Sequence, residues 1–572
     1  MSLPPMIAEM FAKHIFKGSR CAVIALTFLC GLSRLFGAAP TLTHVFPAGG
    51  QRGTKVVVTC AGTFTWPVQV WAPGVEAVPS KASGKLEITI PADLAADRIW
   101  IRLYNSEGAS AAAPFLIGSL KEVTEQEPND TLREAQAIGE PNHTINGVLS
   151  KAGDVDCFSV QLKAGQTLVA AIDANTRLGS PMDAILQVVS LSGTVLAENH
   201  DDLLLDPRLA YTAPKDGSYI VRLFAFPASP DTSIRFSGGP DYIYRLTLTT
   251  GPFITHAVPL SAPMSNPGSV EVQGWNIPPK TKLPVRAFGS AGPGTFPEFE
   301  ATPDLRIPPD AKLGIAFGPQ FAGAARIRLV SSLVTARAPA DAPSPQTLTL
   351  PTSVTGRLRN RRQIDEFQLP LKKGQPIVVS VEANSLYFPV DPVVKLVDPD
   401  GKPVANVDDT GPSKDVALTY PPARDGTFRL LVTDRYGRGG ERSWYLLTAR
   451  PEEPDFELSV GSDAIVVSPG KPTELAVKIQ RRTGPAGSVG PVTIQPVGLP
   501  PGVTAPAVTS EPTGPTASTV TLKFTASGAA FSGAIKIVGQ SSKPKDFQRF
   551  ARTPPKLGVA FESIWLTAVE KK

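Results

Sequence analysis

The stretch from Gly147 to Tyr219 occurs again, almost without gaps, from Gly356 to Phe428, about 209 residues further along the chain. In the first copy the shared marks are Asp156, Phe158, Lys163-Ala164-Gly165-Gln166, Ala174-Asn175, Asp183, Gly193, Asp201-Asp202, Tyr211 and Asp216-Gly217. In the second they are Asp365, Phe367, Lys372-Lys373-Gly374-Gln375, Ala383-Asn384, Asp391, Gly401, Asp408-Asp409, Tyr420 and Asp425-Gly426. The preceding regions match as well: Thr41 to Gly50 resembles Phe253 to Ala262, Gly62 falls where Gly274 does, and an Ile-Arg-Leu strand recurs at Ile101 and Ile327. A period this long excludes a solenoid or a propeller blade and leaves tandem domains, a small module followed by a larger one, duplicated.

Inside each copy the pattern is that of short strands. Lys85 to Ile90, Ile99 to Tyr104, Tyr242 to Thr249 and Leu475 to Ile479 alternate apolar and polar residues with period two. With 58 Pro and 49 Gly among 572 residues, long helices are excluded. The chain therefore reads as all-β, a series of tandem β-sandwich domains of immunoglobulin-like and jelly-roll-like kind. One short helix is expected, over Thr131 to Ile138, with Asp130 or Thr131 as its cap and Glu134 closing a capping box. Joints near Leu120, Gly251, residues 338 to 346 and Arg450 to Pro454 carry Pro or Gly. They read as stiff spacers in an arm whose modules fold largely alone.

The first 20 residues hold Lys13, Lys17 and Arg20 against Glu9, followed by an apolar run of 12 residues, Cys21 to Leu32, and the small residues Gly37-Ala38-Ala39. This reads as a secretory signal over residues 1 to 39, the run being short of the roughly 18 to 20 residues that span a bilayer, so no membrane span is expected after cleavage. Its removal lowers the net charge from +5 to about +2. A near-neutral chain whose longest basic cluster is Arg359-Asn360-Arg361-Arg362 has no electrostatic footprint for nucleic acid. Only Cys60 and Cys157 remain, far apart, which excludes a disulfide framework and points to buried thiols.

Before the first larger module stands Glu125-Gln126-Glu127-Pro128-Asn129-Asp130, and about 25 residues on comes Gly153-Asp154-Val155-Asp156-Cys157-Phe158. This entry, the Asp156 strand start, the turn at Lys163 to Gln166 and the closing strand Asp216 to Leu223 together resemble the bacterial pre-peptidase C-terminal domain family. The resemblance covers about residues 121 to 250 and, more weakly, 349 to 450. It implies a β-sandwich accessory to secreted hydrolases and surface proteins, with calcium bound through the entry segment in its collagen-binding members. The domains expected are a signal peptide (1–39), an immunoglobulin-like module (40–120), a pre-peptidase C-terminal-like sandwich (121–250), a second of each (251–348 and 349–450) and a C-terminal immunoglobulin-like domain (451–572). The last carries Gly498 to Thr504, a phrase common in bacterial immunoglobulin-like domains.

Calcium takes six to eight oxygen ligands at about 2.3 to 2.6 Å. An extended entry segment would place Glu125, Glu127 and Asn129 on one side at alternate positions, Asp130 at the corner, and Asp154 and Asp156 on the first strand. The alternative is that Glu125 and Glu127 are solvated linker residues, Asp130 a helix cap and Asp156 the top of a turn. In the second copy Asp365 matches Asp156, but Arg362 or Gln363 stands in place of Asp154, and calcium is not expected there. The pairs Asp201-Asp202 and Asp408-Asp409 read as hairpin turns.

His44, His143, His200 and His256 show no zinc-hydrolase spacing, and no nucleophile elbow is found. Trp66, Trp71, Trp100, Trp275, Trp444 and Trp565 are expected mainly in cores rather than on a sugar platform. The expectation is a non-catalytic, exported binding or scaffolding protein of the bacterial cell surface, periplasm or exterior, its partner a polymeric protein or polysaccharide. The rival is a secreted hydrolase or the accessory subunit of a secreted peptidase; a third reading is an envelope component that binds only its own kind.

Overall fold

The computed structural model describes residues 38–229, 235–289, 298–300, 311–338, 345–410, 413–484, 487–543 and 546–570, with the backbone alone for 298–300 and 483–484. The expected signal segment lies, apart from Ala38 and Ala39, outside the described residues, as do positions 339–344 of the third joint. The structure is a tandem array of β-sandwiches. Among the described residues the helical elements are the single turns Asn175–Leu178 and Asn384–Leu386.

Alternation in the sequence becomes alternation in burial. Along Lys85–Thr89, Leu86 and Ile88 are buried while Lys85 and Thr89 face out, and Thr519–Ala526 repeats the pattern over eight residues. Each sandwich closes over its own core.

The duplication is legible strand by strand. One sheet of the first large module runs Lys121–Thr124, Asn142–Val148, Ile243–Thr249, Thr167–Asp173, Arg208–Thr212. Its counterpart runs Leu333–Ala336, Thr352–Arg357, Trp444–Pro451, Ile377–Glu382, Val416–Tyr420. The facing sheets, Gln136–Gly139, Asp156–Leu162, Gly217–Pro227, Met182–Val189, Val195–Asn199 and then Gln346–Thr347, Asp365–Leu371, Gly426–Asp434, Pro392–Val397, Pro403–Val407, have the same order too.

Two expectations are corrected. Thr131 to Ile138 is not a helix: Thr131 to Glu134 forms a turn, in which the Thr131 hydroxyl donates to Glu134 at 2.8 Å, and Gln136–Gly139 becomes a strand parallel to Asp156–Leu162. Leu132 and Ala135 pack against the buried side chains of Cys157, Val189 and Ile220, so the apolar residues serve the outer face of the sheet. Nor are the modules held apart. Leu120, Val169 and Ala171 pack against Phe253 and Ala322, Trp100 meets Phe561 edge-on at 5.3 Å, and Arg102 pairs with Asp463 at 2.6 Å across 361 residues of sequence. The Pro and Gly joints turn the chain back onto itself instead of extending it.

Candidate metal centre

The entry segment leaves the strand Lys121–Thr124 at Glu125, whose N–H donates to the Asn146 carbonyl at 3.0 Å. It does not continue extended: the Glu127–Pro128 peptide is cis, and the Asn129 N–H turns back to donate to the Glu127 carboxylate at 2.9 Å. The alternate-side placement of Glu125, Glu127 and Asn129 is thus replaced by a bend. The bend is fixed to the sandwich where the Cys157 N–H donates to the Asn129 carbonyl at 3.0 Å.

That bend brings Glu127 to Asp154 and Asp156, and one carboxylate oxygen from each of the three lies within 4.8 Å of the others. Two oxygens on opposite sides of a calcium ion are separated by about twice the 2.3 to 2.6 Å bond length, so a single coordination shell spans this distance. Asp154, Asp156 and Asn129 are fully buried, and Asn129 Oδ1, Asp130 Oδ1, Asp154 Oδ1 and Asp156 Oδ1 have no hydrogen-bond partner. Buried acceptors without donors are costly. The oxygens that converge, of Glu127, Asp154 and Asp156, are hard donors of the kind that calcium takes. Asp130 stands beside Asp154, with its other oxygen 3.3 Å from Lys151 Nζ.

Glu125 has a different place. Its Oε1 accepts the Val148 N–H at 2.6 Å and its Oε2 the Tyr244 hydroxyl at 2.7 Å, and the same hydroxyl also touches Asp156. One hydroxyl proton cannot serve two carboxylates, so a second proton must be shared between Glu125 and Asp156 while no cation is near. Burial first, then the charge of Glu125, pushes the Asp156 carboxyl up to about 10. Burial likewise raises Glu125. Glu125 therefore props the cradle through Tyr244, while Glu127, Asp154 and Asp156 converge and Asp130 stands beside Asp154; Asn129 joins them through its backbone, its buried side-chain amide having no partner among the described residues.

Sequence reading missed Tyr244 and Gly147. They are opposite residues in adjacent strands, and a Cβ at Gly147 would come within 2.2 Å of both the Tyr244 ring and Glu125 Oε2. The second copy repeats the pair as Gly356 and Tyr445, with the Tyr445 hydroxyl donating to Asp365 at 2.5 Å, so extending the internal comparison to the last strand would have found them. There the cradle is filled differently: Gln363 donates to Asp365 at 2.8 Å and Arg337 Nε lies 3.6 Å from the same carboxylate.

Also missed were Asp206 and Asp415, again 209 residues apart. Each carboxylate takes three successive backbone N–H groups, of Ala174, Asn175 and Thr176 or of Ala383, Asn384 and Ser385, at 2.7 to 3.1 Å. They anchor the two helical turns. Asp202 pairs with Arg442, and Asp408 and Asp409 face Arg435, so these loop acids are ion-paired. Cys60 and Cys157 are buried thiols without a disulfide. Trp100, Trp444 and Trp565 are buried; Trp66, Trp71 and Trp275 are half-buried. Among the described residues no helix is long and apolar enough to cross a membrane.

The paired sheets define an all-β protein of tandem sandwiches. No protein-family model matches the chain. Over 105 residues, 18% of its length, it is 35% identical to a probable subtilase-type serine protease of Deinococcus radiodurans, and the match spans 14% of that protease. Among solved structures it is similar to the pre-peptidase C-terminal domain of a collagenase from Bacillus anthracis, at 13% identity and a TM-score of 0.16, covering 22% of this chain and all of that one. It is also similar to the four N-terminal immunoglobulin domains of Dscam1 isoform 1.9, at 8% identity and a TM-score of 0.19, covering 93% of this chain and all of that one.

Proposed function

We propose that this chain is an exported, non-catalytic binding or scaffolding protein of the bacterial surface, periplasm or exterior, with one calcium ion locking the first large module to its entry segment. The observation that carries the calcium reading is the convergence of Glu127, Asp154 and Asp156 within 4.8 Å, with one buried oxygen of Asp154 and one of Asp156 lacking a donor among the described residues. Ionising all three carboxylates at that separation costs about 0.9 kcal/mol per pair even in water, and more where they are buried, which is why Asp156 holds a proton while no cation is near. A divalent cation relieves this and satisfies the orphaned oxygens together. The assignment of the larger modules to the pre-peptidase C-terminal family is part of the same reading, supported by the sequence marks around Glu125 to Phe158. The partner is a polymeric protein or polysaccharide.

The local likeness to a stretch of a subtilase-type protease favours one second reading, that the chain is an accessory subunit of a secreted peptidase. The test is the unfolding midpoint of the full chain in EDTA and across a calcium titration, with retention on collagen and polysaccharide resins measured in parallel. A saturable rise lost in Asp154→Asn and Asp156→Asn, with EDTA-sensitive retention, is expected. A flat response at millimolar calcium removes the ion from the proposal. Cleavage of casein or a polysaccharide that a single carboxylate change abolishes overturns the non-catalytic reading.

A further inference from the structure

Where both small and both large modules meet, they enclose a cavity of about 150 Å³ whose wall carries seven arginines against two carboxylates, Asp97 and Asp173. Most of these guanidinium groups are tied down. Arg177 pairs with Asp97 at 3.0 Å and Asp173 at 3.2 Å, Arg326 with Asp97 at 2.8 Å, Arg328 with Glu382 at 2.8 Å, and Arg245 with Glu122. Arg208 is the exception. Among the described residues the carboxylate within ion-pair reach of it is Asp202, at 3.9 Å, which Arg442 already engages at closer range; Asp173 acts on it from further off.

The Arg208 side chain is 14% exposed, makes no hydrogen bond among the described residues, and lies over the Phe253 ring at 5.7 Å. Burial works against its protonated form and outweighs the attraction of Asp202 and Asp173, with the like charges of Arg177 and Arg442 adding to the effect of burial. None of its nitrogens is sealed off without a partner, so its donors open into the cavity, and a charge so nearly buried is costly unless an opposite charge occupies that space. The space is of the right kind: about 150 Å³ corresponds to roughly five waters, the volume of phosphate, sulfate or a small polycarboxylate. There is also a way in. Arg442 is 43% exposed at the edge of the cavity, and it shares the cavity's rim residues Thr255 and His256 with an open cleft of about 360 Å³ that contains Trp275 and Lys280.

We infer that this cavity binds one small oxyanion carrying two or more negative charges, held by the guanidinium groups of Arg208 and Arg442 with Arg177 behind them. Planar guanidinium donors match oxyanion geometry, and several converging on one point bind better than isolated surface lysines. Because the first large module supplies Arg177 and Arg208, and the second supplies Arg442, the anion would tie the two copies together from inside. This is independent of the calcium reading, which concerns Glu127, Asn129, Asp130, Asp154 and Asp156, none of which lines the cavity.

The test is calorimetric titration of the full chain with inorganic phosphate, sulfate and citrate, the ionic strength held constant with chloride, and with the unfolding midpoint followed in parallel. One saturable site for at least one of the three, with a rise in midpoint, is expected. Arg208→Gln and Arg442→Gln should each weaken that binding by about tenfold or more. Arg208→Gln should change the anion-free midpoint little, since it gives up the Asp202 neighbour at 3.9 Å and the Phe253 ring but also a nearly buried charge, and no side-chain hydrogen bond. Absence of saturable binding for all three probes up to about 10 mM overturns the inference, as does unchanged affinity in both variants. Should Arg208→Gln fail to fold, Arg442→Gln, at an exposed rim, decides the question.

Discussion

Arg337 in the second large module holds the register position of Glu125 in the first: the Arg337 N–H donates to the Thr355 carbonyl at 2.9 Å as that of Glu125 does to Asn146 at 3.0 Å. The two side chains reach the same tyrosine–aspartate pair with opposite charge. In one copy Arg337 stands beside Asp365; in the other Glu125 adds a further carboxylate beside Asp156. The duplicated fold thus carries an internal cation in one copy and an excess of acid in the other.

The first prediction follows from that exchange. Glu125→Arg should supply the first copy with the cation the second already has, raising the unfolding midpoint in EDTA. The calcium-dependent stabilisation, about 2.7 kcal/mol at a hundredfold excess over Kd in the parent, should shrink below about 0.5 kcal/mol. Differential scanning fluorimetry in EDTA and in calcium measures both. A variant that keeps the full calcium shift would show that Glu125 has no influence on the cradle.

How much of this was legible in the sequence depends on the range of the interaction. Strands such as Lys85–Thr89 were, because their burial follows a local period of two. So was the duplication; the acidic cluster came instead from the entry segment read as extended, and the structure brings Glu127, Asp154 and Asp156 of that set within 4.8 Å of one another by a bend. The false helix at Thr131 arose because Leu132, Ala135 and Ile138 suit a helical period as well as a turn followed by a strand, and only pairing with Asp156–Leu162 decides between them. The bend at Glu127 and the packing of the modules were not legible. Asp97 and Arg326 are 229 residues apart, and nothing near either one announces the other.

Gly147 is required by close approach, not by its backbone angles. Gly147→Ala must push Tyr244 and Glu125 away from contacts of 2.2 Å, and both belong to the cradle. The expected cost is about 1 to 3 kcal/mol of stability, as for overpacking elsewhere, together with a weaker calcium response. Gly356→Ala, which meets Tyr445 at 2.0 Å, should cost a similar amount and leave the calcium response unchanged. Urea unfolding of the two variants, with and without calcium, separates these effects; equal loss of calcium response in both would contradict the assignment.

Asp97 joins three modules through Arg177 and Arg326. Burial alone would raise its carboxyl, but the two guanidinium groups outweigh burial and hold it well below the usual carboxylate range. A depressed carboxyl contributes stability that is fully present above the unfolded value near 3.9 and is lost as pH falls from there toward the folded value. Asp97→Asn removes the buried carboxylate that Arg326 and Arg177 share, leaving Arg177 with Asp173, and should cost about 3 to 5 kcal/mol at pH 7. Its deficit relative to the parent should narrow below about pH 4. Denaturant midpoints of both proteins between pH 7 and 3 give the comparison, and a deficit that does not change with pH would mean that Asp97 is not ionised at neutral pH.

His256 predicts a second, higher window. Its ring stands 5.4 Å from both Phe388 and Trp444, its Nδ1 is 2.9 Å from the Thr255 hydroxyl, and its Nε2 is buried without a partner. Burial first, then the charges of Arg442 and Arg357, lowers it from 6.5 to about 4. The unfolded chain therefore binds a proton that the folded one refuses between those two values, and stability falls as pH drops through them, by at most about 3 to 4 kcal/mol. Above pH 7 the residue contributes no slope. His256→Gln should flatten the stability profile between pH 6.5 and 4 while leaving the steeper loss linked to Asp97 in place below it. Urea unfolding at pH 7, 5.5 and 4.5 checks this, and a constant difference between parent and variant at all three would show that the imidazole is already solvated in the fold.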